Sequence, residues 1–271
     1  MKMHLVPRPL GYLIMLIMVI LYLYPLLYLF NVSFKPDVEF IVDPVGIVKD
    51  FQPENYVNAW KQGNFSTYIW NSIFYTGVSV GASVLISALA AFPVSRSYIK
   101  WSSFVYVFFM IAIFLPNNMI PQWNLIHWLG LYNTRIGYML VNTGIGLGFM
   151  LMTGYIKAVP RELDEAASID GCSYSRYVMT IIMPLIKPVL ATSAILQAIG
   201  VWNNVIGATI YLSDKKLFPI VLGLFKFYGQ FSNQWTLLAA ALVIVASPMI
   251  ILYIFLQRYI IEGAMTGAVK S

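Results

Sequence analysis

The chain has 271 residues, 59% of them hydrophobic and 10% charged, with a mean hydropathy of +0.74. A soluble domain carries about 25% charged residues to solvate its surface, so this composition excludes an ordinary soluble globule and a disordered tail alike. Cys172 stands alone, which excludes an internal disulfide, and His4 and His127 are too far apart in sequence to suggest a metal cluster.

Six stretches lack Asp, Glu, Lys and Arg: 9–34, 62–95, 101–134, 136–156, 188–213 and 227–257. Roughly 20 apolar helical residues cross the ~30 Å bilayer core, and backbone in lipid must bond internally. We therefore expect an all-α integral membrane protein of six transmembrane helices, one domain over residues 1–271.

The first span is expected at 10–31. It exceeds the roughly 7–15-residue core of a signal peptide, and Pro25-Leu26-Leu27-Tyr28 offers no small-residue cleavage pattern. Residues 32–66 follow as an external segment in which Pro36, Pro44 and Pro53 interrupt any long helix. The second span is expected at 67–93, and the third at 102–121 with a break at Pro116–Pro121. The fourth is placed at 137–156, the fifth at 188–210 and the sixth at 235–257. Gly77/Gly81 and Gly144/Gly148 are spaced for close helix packing.

The net charge of +6 is not a nucleic-acid footprint, because ten of the 17 Lys and Arg fall on one expected side of the membrane. By the positive-inside rule both termini are cytoplasmic. No glycine precedes a lysine, so the chain has no P-loop. Any ATP that drives it must be hydrolysed by another subunit.

Residues 158–185 form the main cytoplasmic excursion. Pro160 suits a first helical turn, Glu162, Asp164 and Glu165 favour the helix N-terminus, and Gly171 suits a left-handed stop. That makes a helix of about 11 residues. Ser173 suits the cap of a second short helix that ends before Pro184. Within this helix–turn–helix, Glu165-Ala166-Ala167, Gly171, Ile181 and Met183-Pro184 stand in fixed register. The pattern resembles the EAA loop of ABC-importer permeases, with Met183 in place of leucine, a volume-conserving change. Leu129-Gly130-Leu131-Tyr132-Asn133-Thr134, Trp202-Asn203-Asn204 and the tail from Gln257 to Lys270 are similar to the carbohydrate-uptake branch, and nearest to the MalG type.

The resemblance implies a type I importer permease fold with a cytoplasmic coupling helix, in a bacterial inner membrane. It implies ATPase coupling through Glu165, Ala166, Ala167, Asp170, Gly171 and Pro184. It also implies a second permease subunit, a paralogue, two ATPase subunits carrying ATP and magnesium, and an extracellular solute-binding protein. No cofactor is expected on this chain, and the cargo is expected to be a sugar. An ion-coupled secondary transporter is the alternative, but it usually carries ionisable residues inside its spans, and a membrane enzyme needs carboxylates facing a cavity. The charge-free stretches supply no carboxylate, and no ionisable residue except His127, which is expected at the outer edge.

For the sugar path, Gln197 and Asn204 lie seven residues apart on the fifth span, about 20° apart around one helix. Amides offer donors and acceptors to hydroxyl groups, and Trp202 is suited to stack on a sugar ring. Asn203, and Asn142 on the fourth span, join the candidates, with Asn117 and Asn118 at the proline break as weaker ones. Lys215, Lys216 and the aromatic residues after the fifth span, Phe231 among them, mark an outer loop suited to the binding protein.

Overall fold

The computed structural model describes residues 8–115, 118–228 and 234–268, with side chains from Pro9 to Arg258 within those ranges. His4, Asn117 and Phe231 lie outside the described residues. Along the chain run α1 (Arg8–Ser33), α2 (Asp37–Val42), α3 (Glu54–Gln62), α4 (Phe65–Ser95), α5 (Ser102–Phe114), α6 (Met119–Trp128), α7 (Arg135–Asn142) and α8 (Gly146–Ala158). Then come α9 (Glu162–Ile169), α10 (Tyr174–Tyr177), a π turn (Val178–Ile182), α11 (Met183–Leu185), α12 (Lys187–Trp202), α13 (Val205–Tyr211) and α14 (Trp235–Ala268).

Among the described residues, three helices are long and apolar enough to cross a bilayer: Pro9–Ser33, Phe65–Ser95 and Trp235–Arg258. Three further pairs reach that length only across a break, which brings the number to six when each pair counts as one span. The breaks are where the structure departs from the simple six-rod expectation. The fourth span is not one helix over 137–156; α7 and α8 meet at 44° around Thr143–Ile145. The fifth bends by 74° at Ile186 and is cut again between Trp202 and Val205. The helix before Pro184 does not stop there. A π turn over Val178–Ile182 precedes the proline, and such widening accommodates a residue that supplies no amide to the ladder. The sixth span continues past Gln257 as helix to Ala268, so most of the tail is helical.

Contacts group the chain into two units. The first holds residues 1–66 and 223–247. Here the segment expected to lie outside the membrane is folded rather than looped. Lys35 is wholly buried, and its Nζ donates to the Asp43 carbonyl at 2.7 Å. The Asn55 amide donates to the carbonyls of Ser33 and Lys35 at 3.1 and 2.9 Å. Phe34 stacks on Phe51 with ring centres 4.4 Å apart.

The second unit holds residues 67–222 and 248–271. Its apolar core joins α4, α8 and the segment that follows α8 through Ala88, Phe92, Phe149, Met152, Ile156 and Ile182. Above that core α4 is polar along one edge. Asn71, Tyr75, Ser79, Ser83 and Ser87 recur every fourth residue, hence along one ridge that winds gradually around the helix. Asn71 donates to the carbonyls of Lys216 and Phe218 at 2.8 and 3.0 Å, and the Tyr75 hydroxyl donates to that of Leu217 at 2.9 Å. Ser79 and Ser87 donate to the carbonyls of Met139 and Ile145, both at 3.1 Å, and Ser83 donates to that of Gly144. A helix break in an apolar setting frees carbonyls that water cannot reach. From α4, Ser83 supplies the donor to the Gly144 carbonyl at the α7–α8 break, while the Ile145 carbonyl also takes the first amide of α8, that of Phe149.

The two glycine pairs differ. A Cβ on Gly148 would lie 2.7 Å from Ser193 Oγ and 3.0 Å from Ser87 Oγ, so this glycine permits close packing. Gly77 and Gly81 have nothing within 4 Å of theirs.

Candidate functional site: a coupling loop and a polar cavity

The segment that resembles an EAA loop begins where α8 ends. Helix α9 is eight residues long, shorter than the sequence suggested, because its approach is pinned. Arg96, at the end of α4, donates through Nη1 to the Val159 carbonyl at 2.9 Å and through Nη2 to that of Pro160 at 3.4 Å. Helix α9 then closes on Gly171 at φ +68°. The Cys172 amide donates to the Ala167 carbonyl at 2.9 Å and the Gly171 amide to that of Ser168 at 3.2 Å. This paired closure is available because glycine carries no Cβ penalty in the left-handed region. Ser173 does precede α10, but its hydroxyl makes no capping bond there.

Of the residues assigned to coupling, Glu165, Ala166, Asp170, Gly171 and Pro184 are exposed and Ala167 is buried against the core. Beside them Ile169 is 86% exposed. The outward face of α9 is therefore acidic at its start, small in the middle and apolar at its end. Asp164 behaves differently from its acidic neighbours. It turns inward, its Oδ2 lying 2.8 Å from Arg96 Nε and accepting from the Tyr98 hydroxyl at 3.3 Å. Its Oδ1 accepts from the Tyr177 hydroxyl. Burial, and then the bond to Asp164, pushes the Tyr177 phenol well above its ordinary range.

The cavity forms where the breaks meet. It has a volume of 470 Å³ and is lined by Asn118, Gln122, Thr143, Gly144, Asn204 and Tyr211 among others. A second cavity of 460 Å³ shares Asn118, Thr143 and Gly144 and adds Gln197. Two side-chain amides converge on Asn142, one on its main-chain carbonyl and one on its side-chain oxygen. Gln197 Nε2 donates to the Asn142 carbonyl at 2.9 Å, and Asn204 Nδ2 donates to Asn142 Oδ1 at 2.8 Å. Gln197 and Asn204 thus come together, but not as two positions on one helix face, since the helix between them ends at Trp202. Asn204 instead caps α13, its Oδ1 accepting from the Gly207 amide at 2.8 Å. Trp202 is 2% exposed and packs inside the unit, away from the position of a stacking platform. Asn203 is exposed and turns back onto the Ile199 carbonyl at 3.1 Å.

A family model described as the binding-protein-dependent transport system inner membrane component matches residues 83–264. The chain belongs to this family. The melibiose/raffinose/stachyose import permease protein MelC of Bacillus subtilis (strain 168) is 31% identical over 227 residues, covering 82% of each chain. The trehalose/maltose transport system permease protein MalG of Thermococcus litoralis is 31% identical over 270 residues, covering 94% of each. The fold is that of a solved bacterial ABC transporter involved in the import of the acidic polysaccharide alginate, with a TM-score of 0.85 at 24% identity over 93% of this chain and 96% of that one. The chain is thus a multi-pass permease subunit of an ABC importer.

Several residues of the permease escaped the sequence reading. Gln122 and Tyr211 face the cavity and bond to each other at 3.1 Å. Arg96 had a bland use as a marker of the cytoplasmic side, and Asp164 as one of three acids at a helix start. The four-residue spacing of polar groups in an otherwise apolar helix was the one available signal for the row on α4.

Proposed function

We propose that this permease carries a sugar or oligosaccharide through an ATP-driven, binding-protein-dependent importer. The observation that supports it most directly is the exposed acidic and small-residue face of α9, fixed by a short loop to the broken helices that line the cavity. A membrane subunit without a nucleotide site needs such a lever. Two ATPase subunits, holding ATP and magnesium, take α9 in their groove, with both termini of this chain on the same cytoplasmic side. When the ATPases close, α8 and α12 shift with α9 and the cavity changes its side of access.

A second permease subunit, a paralogue, completes the pore, and an extracellular solute-binding protein delivers the cargo. The sugar class is supported by the relatives, whose names specify oligosaccharides and disaccharides. It is also supported by the cavity, whose amides and hydroxyl groups suit a neutral, hydroxyl-rich solute. The test is reconstitution of the full complex in liposomes with labelled oligosaccharides. Uptake that needs ATP and the binding protein is the expected result. Uptake driven by a proton or sodium gradient without ATP overturns the proposal.

A further inference from the structure

Helix α4 touches both ends of the machinery, and every contact involved lies within the second unit. At its cytoplasmic end the Arg96 side chain is 2% exposed, and its Nε sits 2.8 Å from Asp164 Oδ2. The same guanidinium holds the carbonyls of Val159 and Pro160. Tyr98, just past α4, and Tyr177, on α10, donate to the two oxygens of Asp164. One carboxylate is thereby gripped from three directions. The Asp164 side chain is only 12% exposed, whereas Glu162 and Glu165 face outward. It is therefore not offered to a docking partner. Buried ion pairs add little net stability over apolar packing, so the use left for this one is to hold α9 at a fixed position against α4.

The other end of the argument is Ser83. It lies about 20 Å along α4 from Arg96 at the rise of a helix, and it donates to the Gly144 carbonyl. Ser79 and Ser87, one turn to either side, hold Met139 and Ile145. Gly144 lines both cavities. The path from coupling loop to cavity is thus continuous: carboxylate, guanidinium, one helix, then hydroxyl groups on the carbonyls of the break.

We propose that Arg96 and Asp164 form a joint that makes α4 move with the coupling helix, so that displacement of α9 reaches the cavity through the serine row as well as through α8 and α12. Both are positioning residues, and the inference rests on the coupling role of α9 proposed above. A demonstrated two-state response, rather than contiguity, is what establishes such a route.

The experiment uses the complete importer in liposomes and reads solute taken up per ATP hydrolysed, alongside recovery of the ATPase subunits with the permease. Asp164→Asn should keep that recovery and lower the uptake ratio roughly fivefold or more, the scale of typical coupling between sites. Asp164→Glu, which keeps the charge, should retain most of the ratio. Tyr98→Phe removes one hydroxyl from an exposed position, is safe for folding, and should lower the ratio by less. Ser83→Ala should lower it too, and the double variant with Asp164→Asn should be no worse than the worse single, because the two act in series. An unchanged ratio in Asp164→Asn and Tyr98→Phe overturns the joint. So does loss of the ATPase subunits from Asp164→Asn, which assigns the residue to docking. If the unaltered importer shows no ATP-driven uptake, the coupling role itself fails first, and that control separates the two.

Discussion

Asn204 donates its side-chain amide to the side-chain oxygen of Asn142 across 2.8 Å, and the bond ties one helix break to another. Asn142 ends α7, and Asn204 opens α13 while accepting from the Gly207 amide. Each carboxamide is therefore used twice. The Asn142 amide donates to the Tyr138 carbonyl at 2.8 Å, and its own carbonyl accepts from Gln197. A solute that bonds to either amide must compete with this network or join it.

Asn204→Leu removes a helix cap and leaves the Asn142 oxygen short of a donor. Loss of a cap costs about 1 kcal/mol, and a buried acceptor left unpaired costs about 1–3 kcal/mol more. We expect a lower unfolding temperature of the purified complex together with reduced uptake. Asn204→Ser keeps an acceptor that can cap the Gly207 amide without adding charge but is too short to replace the amide donor to Asn142, so it should recover part of the stability and little of the uptake. Equal stability of the Leu variant and the unaltered protein rules out the network.

Gly171 isolates the backbone from the packing. Nothing lies within 4 Å of the position a Cβ would take, so substitution meets no clash. What remains is the left-handed conformation at φ +68°. Gly171→Ala should cost about 1 kcal/mol, with Gly171→Asn cheaper because asparagine tolerates that region. A bulky or charged residue there should abolish transport while the chain remains inserted. Uptake that follows the order Gly, Asn, Ala, Val ties coupling to the conformation of this turn. Uptake indifferent to that order removes the turn from the mechanism.

Charge on α9 should separate docking from positioning. Glu165 is exposed at the positive end of the helix dipole, whereas Asp164 is enclosed. Glu165→Lys should therefore reduce co-purification of the ATPase subunits in a salt-dependent way. If high salt weakens binding of the unaltered protein and the variant equally, Glu165 makes no ionic contact with the ATPase.

Charge-free stretches and the register of Glu165, Gly171 and Pro184 were enough to indicate the all-α membrane class and the family. The helix breaks were harder to see. Thr143-Gly144-Ile145 is short and glycine-bearing and Asn203-Asn204 is a pair of amides, but such residues are tolerated inside spanning helices when neighbours take up the freed groups. At the first break that depends on serines 58 to 61 residues away, a tertiary fact with no local trace. The face arithmetic for Gln197 and Asn204 failed for that reason, although both side chains reach Asn142. Trp202 illustrates the same limit, since an aromatic ring in an apolar span suits a core and a solute equally, and only its 2% exposure places it in the core.

Trp202 accordingly yields a prediction of stability before one of specificity. Truncating a buried tryptophan costs about 3–5 kcal/mol, so Trp202→Ala should lower the yield of folded permease, while Trp202→Phe should preserve most of it. Both variants should leave the order of preference among sugars unchanged in the folded fraction. A changed order in Trp202→Phe returns this ring to the solute path.

The folded segment after α1, a small cap over residues 35–55, should loosen in acid, and the direction follows from its carboxylates. The Lys49 amide donates to Glu39 at 2.9 Å and the Asp50 amide at 3.1 Å. The Lys49 amide is the chief cause holding the Glu39 carboxyl below its usual value, with the Asp50 amide and the Lys35 charge adding to it. The Gly46 amide, 2.9 Å from Asp43 Oδ1, is the chief cause of the same direction at Asp43. A carboxyl whose folded value is depressed contributes its stabilisation in full above its unfolded value, about 4, and loses it as pH falls through the folded value. Amide exchange at Gly46, Lys49 and Asp50, corrected for the intrinsic pH dependence, should thus be slow near neutral pH and accelerate below about pH 4. Glu39→Gln should abolish that acid step at Lys49 and Asp50 while leaving it at Gly46. Protection that stays level through the acid range, or a step at Lys49 that survives Glu39→Gln, removes these two carboxylates from the stability of the cap.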